Sequence, residues 1–180
     1  LVMSVACSGG ANTAKPGPSP TPTKSGPAPV YGYEVVKAYP HDPKAFTEGL
    51  FFHDGFLYES TGGRESGASS LRKVEIETGK VVQRWNLPAG EFGEGIALIG
   101  DKIYMLTWQD HIGRVFDLKD FKLIREFNFD GEGWGMTTDG KNLILDQSTH
   151  VIKFMDPETF KTVKTVPVMQ ENGKPLMQIN

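Results

Sequence analysis

Cysteine is nearly absent: Cys7 is the single one among 180 residues, which excludes an internal disulfide framework and any site built from several thiolates. Excess positive charge is missing too. Lys and Arg number 19 against 22 Asp and Glu, a formal balance of −3, so the clustered cation that nucleic-acid binding by counterion release requires is not there. No run of about 18 apolar residues exists, the length at which a helix crosses a bilayer. The four histidines, His41, His53, His111 and His150, show no His-Glu-x-x-His spacing, which argues against a catalytic zinc. There is no Gly-x-Ser-x-Gly elbow, phosphate loop or dinucleotide fingerprint, and no motif calls for a cofactor or a metal.

Glycine and proline are plentiful, at 21 and 12, as expected of a chain with many turns. The first thirty residues stand apart from the rest. Leu1-Val2-Met3-Ser4-Val5-Ala6-Cys7 reads as the tail of an apolar targeting segment ending in a lipidated Cys7; an ordinary secretory segment fits the same residues. From Lys15 to Pro29, prolines alternate with small polar residues, which favours an extended spacer that cannot bury apolar area. An anchor and a stalk predict a domain working outside the cytoplasm, in a bacterial periplasm or at the cell surface, and touching a membrane only through Cys7.

From Val30 onward the pattern is strand. Tyr31 to Tyr39 is a β-rich run ended by Pro40, and three similar units follow. They open at Glu48-Gly49-Leu50, Glu94-Gly95-Ile96 and Trp134-Gly135-Met136, so the opening glycines recur at intervals of 46 and 40 residues. An acid followed by a polar pair and a Lys, at Glu75, Asp117 and Asp156, marks a hairpin between the third and fourth strands of each unit. Four strands repeating near every 40 residues indicate a propeller blade. The expectation is an all-β partial β-propeller over 31–180, of about three four-stranded antiparallel blades. The Tyr31–Tyr39 strand is expected to complete a last blade absent from this chain. Leu1 in place of Met, and a stop at Asn180 in mid-motif, read as a sequence clipped at both ends, inactive by itself.

The informative positions are those where the repeats disagree. Glu48, Glu94 and Trp134 precede the opening glycines, at the start of the strand that lines the channel. Packing alone would select similar apolar residues there, so two carboxylates and an indole point to a polar pocket on the axis. Capping of turns, or holding of channel water, would explain the two Glu equally well. The flanking glycines of Phe92-Gly93-Glu94-Gly95 let a backbone and a ligand approach closely. Trp108 ends the second strand of its unit at a channel mouth, a place where blade packing also favours Trp. Glu59, in Tyr58-Glu59-Ser60-Thr61-Gly62, is a candidate second carboxylate at that mouth, with satisfaction of nearby loop amides the better-supported role.

Several segments then occur together in order: Pro40-His41-Asp42-Pro43-Lys44-Ala45-Phe46-Thr47-Glu48-Gly49-Leu50, Tyr58-Glu59-Ser60-Thr61-Gly62, Ser69-Ser70-Leu71-Arg72-Lys73-Val74, Phe92-Gly93-Glu94-Gly95 and Gly133-Trp134-Gly135. In this the chain resembles the glutamine cyclotransferase family, the plant and bacterial type of glutaminyl-peptide cyclase. The resemblance implies a five-bladed propeller, monomeric at full length, that converts the N-terminal glutamine of peptides or proteins into pyroglutamate and releases ammonia. It further implies that Glu94 is the catalytic Glu, that Trp108 and Trp134 are the channel tryptophans, and that Asn180 opens the Asn-Glu-Leu-Glu motif of the site. One departure is visible: Thr47-Glu48-Gly49 stands where Thr-Gln-Gly is common.

The residues suit that chemistry on their own terms. Cyclisation uses the substrate's own amine as nucleophile, so it needs orientation, a carboxylate to carry a proton, and a donor for the developing oxyanion. Glu94 fits the second need, and Asn180 with the two indoles offers donors for the third. A non-catalytic propeller binding a peptide or glycan outside the cytoplasm is the competing reading, because one fold hosts many functions. A sugar or lactone hydrolase would want more metal-binding carboxylates on the axis than Glu48 and Glu94.

Overall fold

A computed structural model describes residues 30–180, and the lipidation candidate Cys7 and the proline-rich spacer lie outside the described residues. All of the strands fall in the unit Val35–Asn180. They form three four-stranded antiparallel sheets, each built from strands consecutive in sequence. The first contains β1 (Thr47–His53), β2 (Phe56–Thr61), β3 (Ser70–Glu75) and β4 (Val81–Asn86). The second contains β5 (Gly93–Ile99), β6 (Lys102–Thr107), β7 (Ile112–Asp117) and β8 (Leu123–Asn128). The third contains β9 (Met136–Thr138), β10 (Leu143–Leu145), β11 (Val151–Met155) and β12 (Thr162–Pro167). The first strand of each sheet lies beside the first strand of the next, β1 against β5 and β5 against β9, which is blade geometry.

The hairpin expected between third and fourth strands repeats atom for atom. Across each turn the amides of Glu75, Asp117 and Asp156 donate to the carbonyls of Lys80, Lys122 and Lys161, each at 2.9 Å. The amides of Gly79, Phe121 and Phe160 close each turn back onto the acid's carbonyl. That closing residue is left-handed in all three turns, at φ 68°, 57° and 55°. A phenylalanine there is strained, and packing compensates: Phe121 is buried, and Phe160 stacks on Phe127 with ring centroids 3.7 Å apart.

Period-2 alternation divides the second sheet between its two neighbours. Ile96, Ile103, Met105 and Phe116 pack with Tyr58 and Leu71 of the first sheet. Ala97, Tyr104, Leu106 and Val115 pack with Leu143, Leu145 and Met155 of the third. The second sheet is therefore apolar on both faces, while Leu50 and Phe52, on the face of β1 turned away from it, are exposed. The expected strand over Tyr31–Tyr39 does not form: the segment has no ladder partner, and Tyr31, Tyr33, Val35 and Val36 are exposed. Alternation makes a strand only when a second edge lies alongside to satisfy its backbone groups, and no described strand does.

Candidate active site

Glu48 and Glu94 occupy the same structural position in successive blades. In β1 the pairing steps from Thr47↔Thr61 to Gly49↔Ser60, and in β5 from Gly93↔Thr107 to Ile96↔Met105. Each step inserts one extra residue at the start of an inner strand, a β-bulge, which re-aims a side chain without ending the sheet. The opening glycines are required by close approach. A Cβ on Gly49 would stand 2.6 Å from the Ile96 amide, and one on Gly95 would stand 2.6 Å from the Trp134 carbonyl. The Ser60 hydroxyl donates to the Glu94 carbonyl at 2.5 Å, and the Gly95 amide to the Trp134 carbonyl at 2.9 Å. Bonds across both blade boundaries thus hold the backbone of Glu94.

Glu94 is 3 % exposed. Burial pushes its carboxyl up to about 8, with further upward pressure from the charges of Glu48, Asp146 and Glu132. Burial also raises the Glu48 and Asp146 carboxyls. Asp146 closes the far side of the site. A Cβ on Gly135 would stand 2.6 Å from its Oδ2 and 3.4 Å from Oδ1 of Asn180, so Asp146, Asn180 and the residue after Trp134 share one corner. Among the described residues, no three His, Cys, Asp or Glu side chains form a group that could hold a metal ion.

Trp108 and Trp134 meet edge to face, with ring centroids 6.1 Å apart. The row continues through Phe92, 5.7 Å from Trp108, to Phe46, 6.1 Å from Phe92. Gly62 occupies the position in the first blade that Trp108 holds in the second, because any side chain there would enter the Phe92 ring. The indole N–H groups are not free donors, as the sequence reading had them. Both bond Oε2 of Glu132, Trp108 at 3.0 Å and Trp134 at 3.1 Å. Both indole N–H groups are therefore spent on a bond within the protein.

The structure thus brings Glu48, Glu94, Trp134 and Asn180 to one place, with Trp108 beside Trp134. It does not bring Glu59 there. Glu59 is buried on the other face of β2 from Ser60, where its carboxylate accepts from the Thr47 hydroxyl at 2.5 Å and pairs with the His41 ring at 2.8 Å. Arg72 stands 3.9 Å away. The satisfying groups are side chains rather than loop amides, and Glu59 fastens the Pro40–Thr47 segment to its blade. Sequence reasoning missed Glu132 and Asp146. The signal for Glu132 was an acid isolated between Gly131 and Gly133, two residues before a site Trp.

Comparison with known proteins follows the same lines. A sequence model of the family described as glutamine cyclotransferase matches residues 3–180. A glutaminyl-peptide cyclotransferase of Arabidopsis thaliana is 38% identical over 149 residues, 82% of this chain and 46% of that protein. The chain therefore spans about half the length of this curated relative. Among solved structures, the Myxococcus xanthus glutaminyl cyclase is similar with a TM-score of 0.72 at 30% identity, over 80% of this chain and 60% of that one. The Neurospora crassa Pan2 WD40 domain reaches 0.56 at 12% identity, over 67% and 36% of the two chains, a likeness of propeller fold alone.

Proposed function

The chain belongs to the glutamine cyclotransferase family, and from that premise we propose that it supplies the proton-transfer half of a glutaminyl-peptide cyclotransferase site, acting on peptides or proteins that begin with glutamine. The substrate's α-nitrogen forms a bond to its own side-chain carbonyl carbon, and the amide C–N bond breaks. The ring closes as pyroglutamate and the amide nitrogen leaves as ammonia. One proton moves from the α-nitrogen to the Glu94 carboxylate and on to the departing nitrogen, so nothing is oxidised and no co-reactant is consumed. The observation that carries this reading is the placement of Glu94, a buried carboxyl set by a β-bulge beside the Trp134 backbone, where burial raises it to about 8, toward the range of a peptide α-amine. Matched partners exchange a proton with little free-energy difference, the condition under which a single group serves as base and then as acid. Trp108 and Trp134 wall the glutamine side chain, and the Asn180 amide donates to the developing oxyanion.

Ammonia release from a Gln-Xaa peptide by the intact protein tests the proposal. Glu94→Gln keeps the shape and removes the proton acceptor, so turnover should fall about 10²-fold or more with KM little changed. Near-normal turnover would remove Glu94 from the mechanism and favour a peptide- or glycan-binding propeller, for which the row from Phe46 to Trp134 would be the platform. Placement outside the cytoplasm, tethered through Cys7, belongs to the same proposal and rests on the sequence before residue 30.

A further inference from the structure

We propose that Glu132 is a positioning residue of this site, whose one carboxylate holds the Trp108 and Trp134 indoles edge to face by accepting both of their N–H bonds. The inference rests on the cyclotransferase reading for what the walls enclose, but the clamp itself is a matter of geometry. Oε2 takes Trp108 Nε1 at 3.0 Å and Trp134 Nε1 at 3.1 Å, and Oε1 takes the Gln109 amide at 3.0 Å. An indole has a single donor and no acceptor, so each ring has one polar tether, and both tethers end on the same oxygen. Trp108 and Trp134 come from adjacent blades. The Gly133 amide ties the two backbones by donating to the Trp108 carbonyl, but the shared acceptor is the hydrogen bond that joins the rings themselves.

The loop that carries Glu132 is itself anchored. The Gly133 amide donates to the Trp108 carbonyl at 2.9 Å, and the His111 ring meets the Gly131 carbonyl at 2.6 Å. Gln147 bonds the Asp130 carbonyl. Behind Gln109, Arg64 donates to its side-chain oxygen at 3.1 Å and to the Gly90 carbonyl at 2.9 Å, with the guanidinium 5.3 Å from the Trp108 ring centre. The hydrogen bonds from Gln109, Trp108 and Trp134 hold the Glu132 carboxyl below its ordinary range, with the His111 charge adding to them. It therefore stays ionised wherever Glu94 titrates. Its charge then adds to those of Glu48 from β1 and Asp146 from the end of β10 in opposing ionisation of Glu94.

Two substitutions separate geometry from charge. Glu132→Gln keeps an oxygen able to accept both N–H bonds and removes the charge. Glu132→Ala removes both. In the intact protein, Glu132→Ala should change the near-ultraviolet circular dichroism of the tryptophans, raise KM for a Gln-initiated peptide about 10-fold and lower kcat by a similar factor. Glu132→Gln should leave the dichroism and KM near their starting values while the acid limb of the activity profile moves to lower pH. Unchanged dichroism and KM in Glu132→Ala would overturn the proposal, as would a Glu132→Gln variant whose dichroism and KM shift as far as those of Glu132→Ala. Should Glu132→Ala fail to fold, Trp134→Phe deletes one N–H and keeps a ring; it should raise KM about 3-fold, and no rise would overturn the clamp. If Glu94→Gln keeps full turnover the cyclotransferase reading fails instead, and the dichroism of Glu132→Ala judges the clamp without it.

Discussion

The Gly95 amide donates to the Trp134 carbonyl at 2.9 Å, so the residue after the buried carboxylate and the residue bearing the second indole are tied by one backbone bond. The two halves of the site, from adjacent blades, cannot shift independently. Nor can Gly95 be replaced. A Cβ there would stand 2.6 Å from the Trp134 carbonyl and 2.8 Å from the Gly135 carbonyl carbon, and backbone cannot turn aside as a flexible side chain can. Gly95→Ala should therefore destabilise by about 1–3 kcal/mol and cut turnover by about 10²-fold through displacement of Glu94 and Trp134. Denaturant midpoints beside ammonia release check it; loss of stability with full turnover would mean that the contact is structural only.

Activity should depend on pH as a matched pair does. The productive complex holds one proton between Glu94, at about 8, and an α-amine at about 7.7–8.0. The expected profile of kcat/KM is a bell with its maximum near pH 8, whose limbs belong to the pair rather than to either group alone. Glu48→Gln removes the strongest neighbouring charge acting on Glu94, so the acid limb should move to lower pH. A profile that stays in place would show that the Glu48 charge does not act on Glu94.

Stability should carry the opposite signature of ordinary surface carboxylates. The Glu94 carboxyl lies near 4.5 when unfolded and about 8 when folded, so the folded state holds the extra proton. Its contribution is complete below about 4.5 and is lost as pH rises through about 8. Glu48 and Asp146 are raised by burial and act in the same direction. Glu94→Gln should therefore be more stable than the unaltered protein at pH 9, and the two should converge near pH 5. Urea midpoints at both values decide it, and parallel curves would show that Glu94 ionises freely in the fold.

Much of this was legible in the sequence, and for identifiable reasons. The blades were readable because each uses the same hairpin, with Glu75, Asp117 and Asp156 at one geometric position and a left-handed residue four places on. Glu94 was readable because it breaks a pattern that packing alone would repeat. Glu132 was not, because an acid between glycines also describes a solvent turn, and its partner Trp108 lies 24 residues away. For Glu59 the structural role preferred from the sequence is the one observed, with side chains rather than loop amides as its partners. Its neighbour Ser60 faces Glu94, so Glu59 faces the opposite side of β2. Tyr31–Tyr39 has strand composition but no edge beside it, and pairing is a property of two segments.

Arg114 should prove to hold the loop that leads into Glu94. Its guanidinium is 3 % exposed and grips Glu91 with two bonds, Nη1 at 2.5 Å and Nη2 at 3.0 Å, while Nε donates to Glu126 at 2.7 Å. Glu91 is the residue before Phe92-Gly93-Glu94, so the fork fixes the chain as it enters the bulge. Arg114→Met leaves the largely buried Glu91 carboxylate without its partner and should destabilise by about 3–5 kcal/mol. Arg114→Lys keeps the charge but not the planar fork, and should lose much of the same stability. Adding Glu91→Leu to Arg114→Met removes the stranded charge, so the double variant should recover most of the stability. It should not recover turnover, because an apolar contact does not fix the loop as two directed bonds do. Full recovery of both would reduce the pair to an ordinary structural brace; stability restored with turnover still about 10-fold down would identify the fork as what aims Glu94.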